Sequence, residues 1–257
     1  VLSPLAYIHS SAQIGANVTV EPFAVIHENT VIGDDCHIYS HAVIHPGARL
    51  GKGVRIFNGA VISGIPQDLK FSGEDSTAEL GDYTTVRECA TINRGTKAYG
   101  KTVIGKHCLI MAYAHVAHDC ILGDHVILVN SVALAGHVQI GEYAILGGLS
   151  AVHQFVHVGA HAMVGGGALV RKDVPPYIKV AKEPLSFEGV NAIGLERRGF
   201  TPDQVERIHH AYRLLYQSGL NTSQAVDRIA SEGPGGPEID AIVSFVQAAE
   251  RGIVKGR

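Results

Sequence analysis

The chain has no excess of positive charge: 21 Lys and Arg stand against 24 Asp and Glu, for a net charge of −3. That argues against a protein held to nucleic acid by bulk positive charge. No apolar run reaches the roughly 18 residues that mark a membrane-spanning helix. The start, Val1-Leu-Ser-Pro4, lacks the basic and apolar regions of a signal peptide. It also lacks Met, which leaves room for processing. The four cysteines, Cys36, Cys89, Cys108 and Cys120, form no CxxC pair. Three of them share one phase of the repeat described next, so the cysteines read as small interior fillers, not as disulfides or metal ligands. A reducing cytoplasm is the expected home.

What the chain does have is regularity. Stepping by six from Ile8 to Val170 samples 28 positions, and all but Asp68, Glu74 and Ala98 are Ile, Leu or Val. Neither the helical period of 3.6 nor the strand period of 2 produces this pattern. It marks a parallel β-solenoid of hexapeptides, in which each short strand is buried only by stacking on the next coil. Gly often follows the apolar residue, as at Gly15, Gly33, Gly123 and Gly141, which predicts corners that need glycine's backbone freedom. Small residues such as Ala24, Ala42, Ala60, Ala114 and Ala144 hold the fifth place. Three hexads make one coil, so residues 18 apart become neighbours. Roughly eight coils at ~4.8 Å give a prism about 40 Å long.

The repeat lapses over residues 63–79 and again over 94–102, which predicts two loops extruded at corners. The first is the stronger candidate for binding groups, since loops on a rigid scaffold are favoured places for them. The hexads stop after Asp173-Val-Pro-Pro176. Thr201-Pro-Asp-Gln204 then reads as a capped helix start, followed by Val205, Ile208, His209, Tyr212, Leu215 and Tyr216 at helical spacing. A second helix is expected over about 223–232, a break at Gly233-Pro-Gly-Gly-Pro237, and a third helix carrying Ile239, Ile242, Val243 and Val246. The division is a β-helix over 1–183 and a C-terminal helical domain over 184–257.

Thirteen of the fifteen histidines lie within the repeat, and none takes the apolar or small phase. They are expected on the outer surface, and His9, His27, His37, His41 and His45 read simply as solvated. His118 differs. Residues 118, 136 and 154 are 18 apart, so His118, Gly136 and Gln154 form a column flanked by His137 and His153. These groups fall within about two rungs, roughly 10 Å. A His beside a carboxylate, Asp119, and next to an exposed glycine N–H contains the parts for acid–base chemistry on an acyl group. A structural polar stack is the alternative. A rival column, His107, His125 and His161 with Tyr143 in the gap, could share Zn²⁺ as in solenoid carbonic anhydrases.

Gln67-Asp-Leu-Lys70, Ala114-His-Val-Ala-His-Asp-Cys120, Leu134-Ala-Gly-His137, Ala151-Val-His-Gln-Phe155, Asp173-Val-Pro-Pro-Tyr177, Gly189-Val-Asn191 and Arg197-Arg-Gly-Phe200 together resemble the bacterial UDP-N-acetylglucosamine O-acyltransferases of lipid A synthesis. The resemblance spans essentially the whole chain. It implies a left-handed parallel β-helix, an exception to the right-handed rule for parallel crossovers, and a homotrimer with sites between neighbouring prisms. It implies transfer of a 3-hydroxyacyl group from acyl carrier protein to UDP-N-acetylglucosamine without metal or other cofactor. His118 matches the general base, Asp119 its orienting partner, and Gly136 the oxyanion donor. Gln67, Asp68, Lys70, His115, His137, His153 and Gln154 match contacts to the sugar nucleotide and acyl chain. Asn191, Arg197 and Arg198 match contacts from the C-terminal region. Gly166, with Met163 nearby, matches the residue that closes the acyl groove; a glycine there implies a long chain, whereas Gly165 reads as a corner turn. Arg171, Lys172, Arg197 and Arg198 are the expected docking patch for the acidic carrier protein. One departure is Ile193, where an acidic residue is familiar in the family.

Two further alternatives are the later N-acyltransferase of the same pathway and a catalytically silent scaffold. The N-acyltransferase carries a uridine-binding domain ahead of its solenoid; with a first hexad at Ile8, no such domain is expected here.

Overall fold

The computed structural model describes residues 1–232 and 235–256. Strands of mostly two residues stack into three sheets of nine, eight and ten members. The first sheet runs from Tyr7–Ile8 to Leu169–Val170, the second from Gln13–Ile14 to His157–Val158, and the third starts at Thr19–Val20. Successive strands pass from sheet to sheet and pair in parallel with the coil before and after, as Val25 with Val43 and Ile127 with Ile145. The molecule is a left-handed parallel β-helix with a helical C-terminal segment. Each sixth residue points into the prism: Ile26, Ile44, Ile62, Ile92, Val116 and Leu134 have no exposed surface. Such a burial contributes about 1.5–3 kcal/mol, yet no two-residue strand holds itself, so stability accrues along the stack.

The corners are built differently from the expectation. The left-handed conformation falls three residues after the apolar position and mostly on residues other than glycine. Asn17, Asp35, His107, Asp119, His137 and Tyr143 have φ between 54° and 63°, which costs roughly 1–2 kcal/mol each. The stack compensates by bonding these corners to the coil before: His125 N–H donates to Lys106 O (2.8 Å), Tyr143 to Asp124 (2.9 Å) and His137 to His118 (3.1 Å). The glycines after the apolar position form a column, Gly33, Gly51, Gly81, Gly105 and onward, at the edge between the second and third sheets. They are needed for close approach. A Cβ on Gly33 would lie 2.7 Å from the Gly51 carbonyl carbon, and one on Gly81 2.6 Å from that of Gly105. Likewise the left-handed residue beside the expected ruler is Gly167 (φ 70°), not Gly165.

Cys36, Cys108 and Cys120 are buried fillers, but Cys89 is exposed, because it stands at a left-handed corner (φ 55°). Of the histidines read as solvated, His41 is exposed, whereas the half-buried His27 and His45 stack on each other at 5.0 Å and His37 stacks on Tyr39 at 3.9 Å.

Beyond the last coil, Ile178–Ala181 extends the third sheet beside Met163–Val164 and pairs antiparallel with Ser186–Val190. Four helices follow among the described residues: α1 (Ala192–Glu196), α2 (Pro202–Gln217), α3 (Thr222–Glu232) and α4 (Pro237–Ala248). The start of α2 is the expected capping box, with Gln204 N–H donating to Thr201 Oγ1 and Thr201 N–H to Gln204 Oε1. Val205, Ile208, Ala211, Tyr212 and Leu215 are its buried face. Tyr212 docks α2 on the prism, its hydroxyl donating to Pro176 O at 2.6 Å. The five-residue α1 and the hairpin are too short for a period to show in the sequence. Of the expected break, Gly233 and Pro234 lie outside the described residues, and Gly236 (φ 118°) is the N-cap of α4. Among the described residues no helix is long and apolar enough to cross a membrane.

Candidate active site

One edge of the prism, between the first and second sheets, collects most of the predicted residues. The chain leaves the stack there twice, over residues 65–76 between Val61–Gly64 and Thr77–Leu80, and over 94–100 between Thr91–Asn93 and Lys101–Ile104. The next three corners of that edge carry His118-Asp119, Gly136-His137 and Gln154-Phe155. Val116, Leu134 and Val152 pair in register beneath them, so His118, Gly136 and Gln154 do form the predicted column.

Within it, His118 Nδ1 lies 2.8 Å from Asp119 Oδ2, and His137 Nε2 lies 3.8 Å from the same oxygen. The Asp119 side chain has no exposed surface. Burial pushes its carboxyl upward, but hydrogen bonds from Thr96 and His118 more than offset this and hold it below its ordinary value. His118 and His137 meet edge to face at 5.1 Å, and His137 stacks on Phe155 at 4.5 Å. Burial lowers His137, with Asp119 acting in the opposite sense. His115 bonds Thr91 Oγ1 at 2.7 Å and is lowered by burial and then by His118. Gly136 is buried, not exposed, because the His118 ring covers it. A Cβ there would lie 2.6 Å from His118 Cε1. Among the described residues no acceptor takes the Gly136 N–H.

His118, Asp119 and His137 could together approach a cation. Both carboxylate oxygens are already engaged, however. Oδ1 accepts from Thr96 N–H (3.0 Å) and Tyr99 N–H (3.3 Å), and Oδ2 from the Thr96 hydroxyl (2.7 Å) and His118. A hydrogen-bonded acid–base pair accounts for the arrangement. The rival zinc column does not survive. His107, His125, Tyr143 and His161 stack face to face at 5.0, 4.5 and 5.0 Å, within 9° of parallel. Imidazole lone pairs lie in the ring plane, so rings in parallel planes one rung apart cannot converge on one ion.

The remaining predicted residues divide by edge. Gln67 and Lys70 are exposed on the first extrusion, and Asp68 Oδ1 accepts from Lys70 N–H at 2.9 Å. Asp68 lies near enough to His137 to act on its charge. His153 and Gln154 are exposed, with His153 Nδ1 3.4 Å from Arg251 Nη2. Asn191, Arg197 and Arg198 stand elsewhere, beside the edge between the second and third sheets. Asn191 is buried and donates to His161 O at 3.0 Å. Arg198 lies over the Tyr143 ring at 5.3 Å and 3.3 Å from His161 Nδ1, and Arg197 is exposed. His161 is itself buried beneath Phe200, Tyr177 and Arg198, against the expectation that repeat histidines stay outside. Burial, then Arg198, pushes it down to about 4. Gly166 and Met163 belong to the third sheet and the third edge, and both are exposed. Within one chain they are not brought to His118. In the expected docking patch, Arg171 is paired with Glu183 at 3.2 Å.

A family profile described as UDP-N-acetylglucosamine O-acyltransferase, domain 2, matches residues 173–254, and a bacterial transferase hexapeptide profile matches 29–64 and 101–136. The acyl-[acyl-carrier-protein]–UDP-N-acetylglucosamine O-acyltransferase of Chlorobaculum tepidum is 60% identical over 181 residues, 70% of this chain and 69% of the relative. The crystal structure of a UDP-N-acetylglucosamine acyltransferase from Bacteroides fragilis superimposes with a TM-score of 0.97 at 50% identity, covering 98% of this chain and 99% of that one. This chain belongs to the UDP-N-acetylglucosamine O-acyltransferase family. The Arabidopsis UDP-N-acetylglucosamine acyltransferase has the same architecture at 31% identity and a TM-score of 0.84, covering 99% and 100% of the two chains.

As an acyltransferase of this family, the chain holds residues that sequence reasoning passed over. Thr96 and Tyr99 of the second extrusion supply donors to Asp119, and Thr102 Oγ1 accepts the Asp119 N–H at 2.9 Å. The period carried no signal for them, because the segment is a lapse in the period. Ile193 is exposed on α1 and offers no polar group where the resemblance leads one to expect an acid.

Proposed function

We propose that this chain transfers an (R)-3-hydroxyacyl group from acyl carrier protein to the 3-hydroxyl of UDP-N-acetylglucosamine, the first step of lipid A synthesis, in the cytoplasm. The observation that carries the chemistry is the bond from His118 Nδ1 to the buried Asp119 (2.8 Å). With Nδ1 so engaged, Nε2 is the basic nitrogen available to a substrate hydroxyl. His118 removes the proton from the sugar 3-hydroxyl as its oxygen attacks the thioester carbon. The Gly136 N–H, which has no acceptor among the described residues, donates to the oxyanion that forms. As the tetrahedral intermediate collapses, the C–S bond breaks, and His118 returns its proton to the thiolate of the carrier. No covalent enzyme intermediate is required.

Gln67, Asp68, Lys70, His115, His137, His153 and Gln154 form the acceptor and acyl subsite on the same edge. Asn191, Arg197 and Arg198 serve the nucleotide, and Gly166 with Met163 leaves the acyl groove open to a long chain. These three groups sit on three edges of one prism, which supports a homotrimer whose sites are completed by neighbours. The units are a β-helix over 1–183 and a helical domain over 184–257, with Arg171, Lys172, Arg197 and Arg198 receiving the acidic carrier. The test is His118→Ala, assayed by mass spectrometry of the acylated sugar nucleotide. Loss of about 10²–10⁴-fold in turnover is expected with the fold intact. Near-normal turnover would rule His118 out as the base.

A further inference from the structure

A buried carboxylate can orient His118 only if something orients the carboxylate. We infer that Thr96, on the second extruded segment (residues 94–100), is a positioning residue for the His118–Asp119 pair, and that this segment is a strap closed beneath the pair. The role rests on the reading of His118 as the base and deepens it.

At an ordinary corner of the prism the left-handed residue gives its N–H to the carbonyl of the coil before. At Asp119 that corner is missing, because the coil before is interrupted by the strap. The Asp119 N–H goes instead to Thr102 Oγ1 (2.9 Å). Its carboxylate turns inward onto the strap, where Thr96 grips both oxygens, Oδ1 through its N–H at 3.0 Å and Oδ2 through its hydroxyl at 2.7 Å. Tyr99 N–H adds 3.3 Å to Oδ1. Among the described residues, every donor to the carboxylate except His118 therefore comes from two residues of one short loop. Thr96 is buried, so water cannot replace its hydroxyl without displacing packed atoms.

The strap is itself held shut. Gly100 N–H donates to Thr96 O (2.6 Å), and Gly95 is packed so tightly on the Lys101 backbone that no Cβ fits. It is also tied to the first extrusion. Ser76 Oγ donates to Gly95 O (2.6 Å), and Lys97 N–H to Glu74 Oε1 (3.1 Å). With its other lone pairs satisfied, Asp119 has one direction left, which it gives to His118. Losing the hydroxyl leaves a desolvated oxygen one donor short and frees the carboxylate to rotate away from the imidazole.

The test is steady-state kinetics of Thr96→Val, Thr96→Ser and Thr96→Val combined with Asp119→Asn. Thr96→Val should lower kcat by about tenfold to a hundredfold, with KM for UDP-N-acetylglucosamine changed by less than about twofold. Thr96→Ser, which keeps the hydroxyl, should stay within about threefold of the parent. In the Asp119→Asn background the same Val substitution should cost less than about twofold, because a residue acting through Asp119 has nothing further to lose. Circular dichroism and size measurement establish that the variants are folded. Should Val not fold, Thr96→Ala replaces it with the same outcomes. Turnover of the Val or Ala variant within about threefold of the parent, or an equal loss with and without Asp119, overturns the positioning role. An active His118→Ala enzyme would overturn the base reading instead, so the two failures are distinct.

Discussion

Two edges of the same prism carry columns of histidine, and they do opposite things. Along the edge between the second and third sheets, Tyr83, His107, His125, Tyr143 and His161 stand face to face, 4.5–5.3 Å apart. Their π-faces are spent on one another, and at the far end the ladder is capped by the C-terminal segment. Along the edge between the first and second sheets, the same left-handed corner conformation places Asp119 and His137 one coil apart, but there the rings of His118 and His137 meet edge to face around a carboxylate. The difference is not in the histidines. It comes from Gly136, which makes room for the His118 ring, and from the interruption below Asp119, which turns that side chain inward. A regular repeat stacks identical side chains into ladders. The proposed chemistry sits where the repeat is broken.

The largest effect should come from making the active edge more like the inert one at a single atom. Gly136→Ala puts a methyl group where His118 Cε1 and Nε2 now lie, 2.6–2.7 Å away. The ring must swing off Asp119, so kcat should fall by about a hundredfold or more. Thermal stability should fall modestly, since the swing leaves the buried Asp119 Oδ2 one donor short. Unchanged turnover would mean that the His118 pose does not govern the rate.

A second effect concerns the capped end of the ladder. His161 is held at about 4 against an ordinary 6.5, by burial and then by Arg198. A folded-state pKa below the unfolded one means that between about 6.5 and 4 the unfolded chain binds the extra proton. Stability from this group is thus full above the upper value and is lost as pH falls to the lower one, by on the order of 3 kcal/mol. His161→Phe should flatten, though not abolish, the decline in unfolding free energy over that window, because His45, His115 and His137 are lowered too. An identical pH slope in denaturant titrations of variant and parent would refute this.

The smallest effect tests the inertness of the ladder itself. His107→Phe keeps a flat ring between Tyr83 and His125, and both kcat and the thermal midpoint should remain close to the parent. A loss beyond about fivefold in kcat would give this edge a part in the chemistry and erase the contrast between the columns.

The period of six determined a great deal by itself. A residue that recurs every sixth place calls for a solenoid that buries it on every coil, and with three hexads per coil the inward-facing residues and the neighbourhood of His118, Gly136 and Gln154 follow from spacing. The Thr201 capping box and the buried face of α2 were equally legible, because capping and helical periodicity are local. What the tertiary structure alone decided lies where that logic lapses. Glycines taken for corners are points of contact between coils, a distinction invisible without the second coil. Residues 94–100 have no phase, so nothing in their spacing tells that Thr96 returns beneath Asp119. The placement of Asn191 and Arg198 beside another edge is also beyond spacing, since both lie past the last hexad, and a repeat does not say which edges must meet.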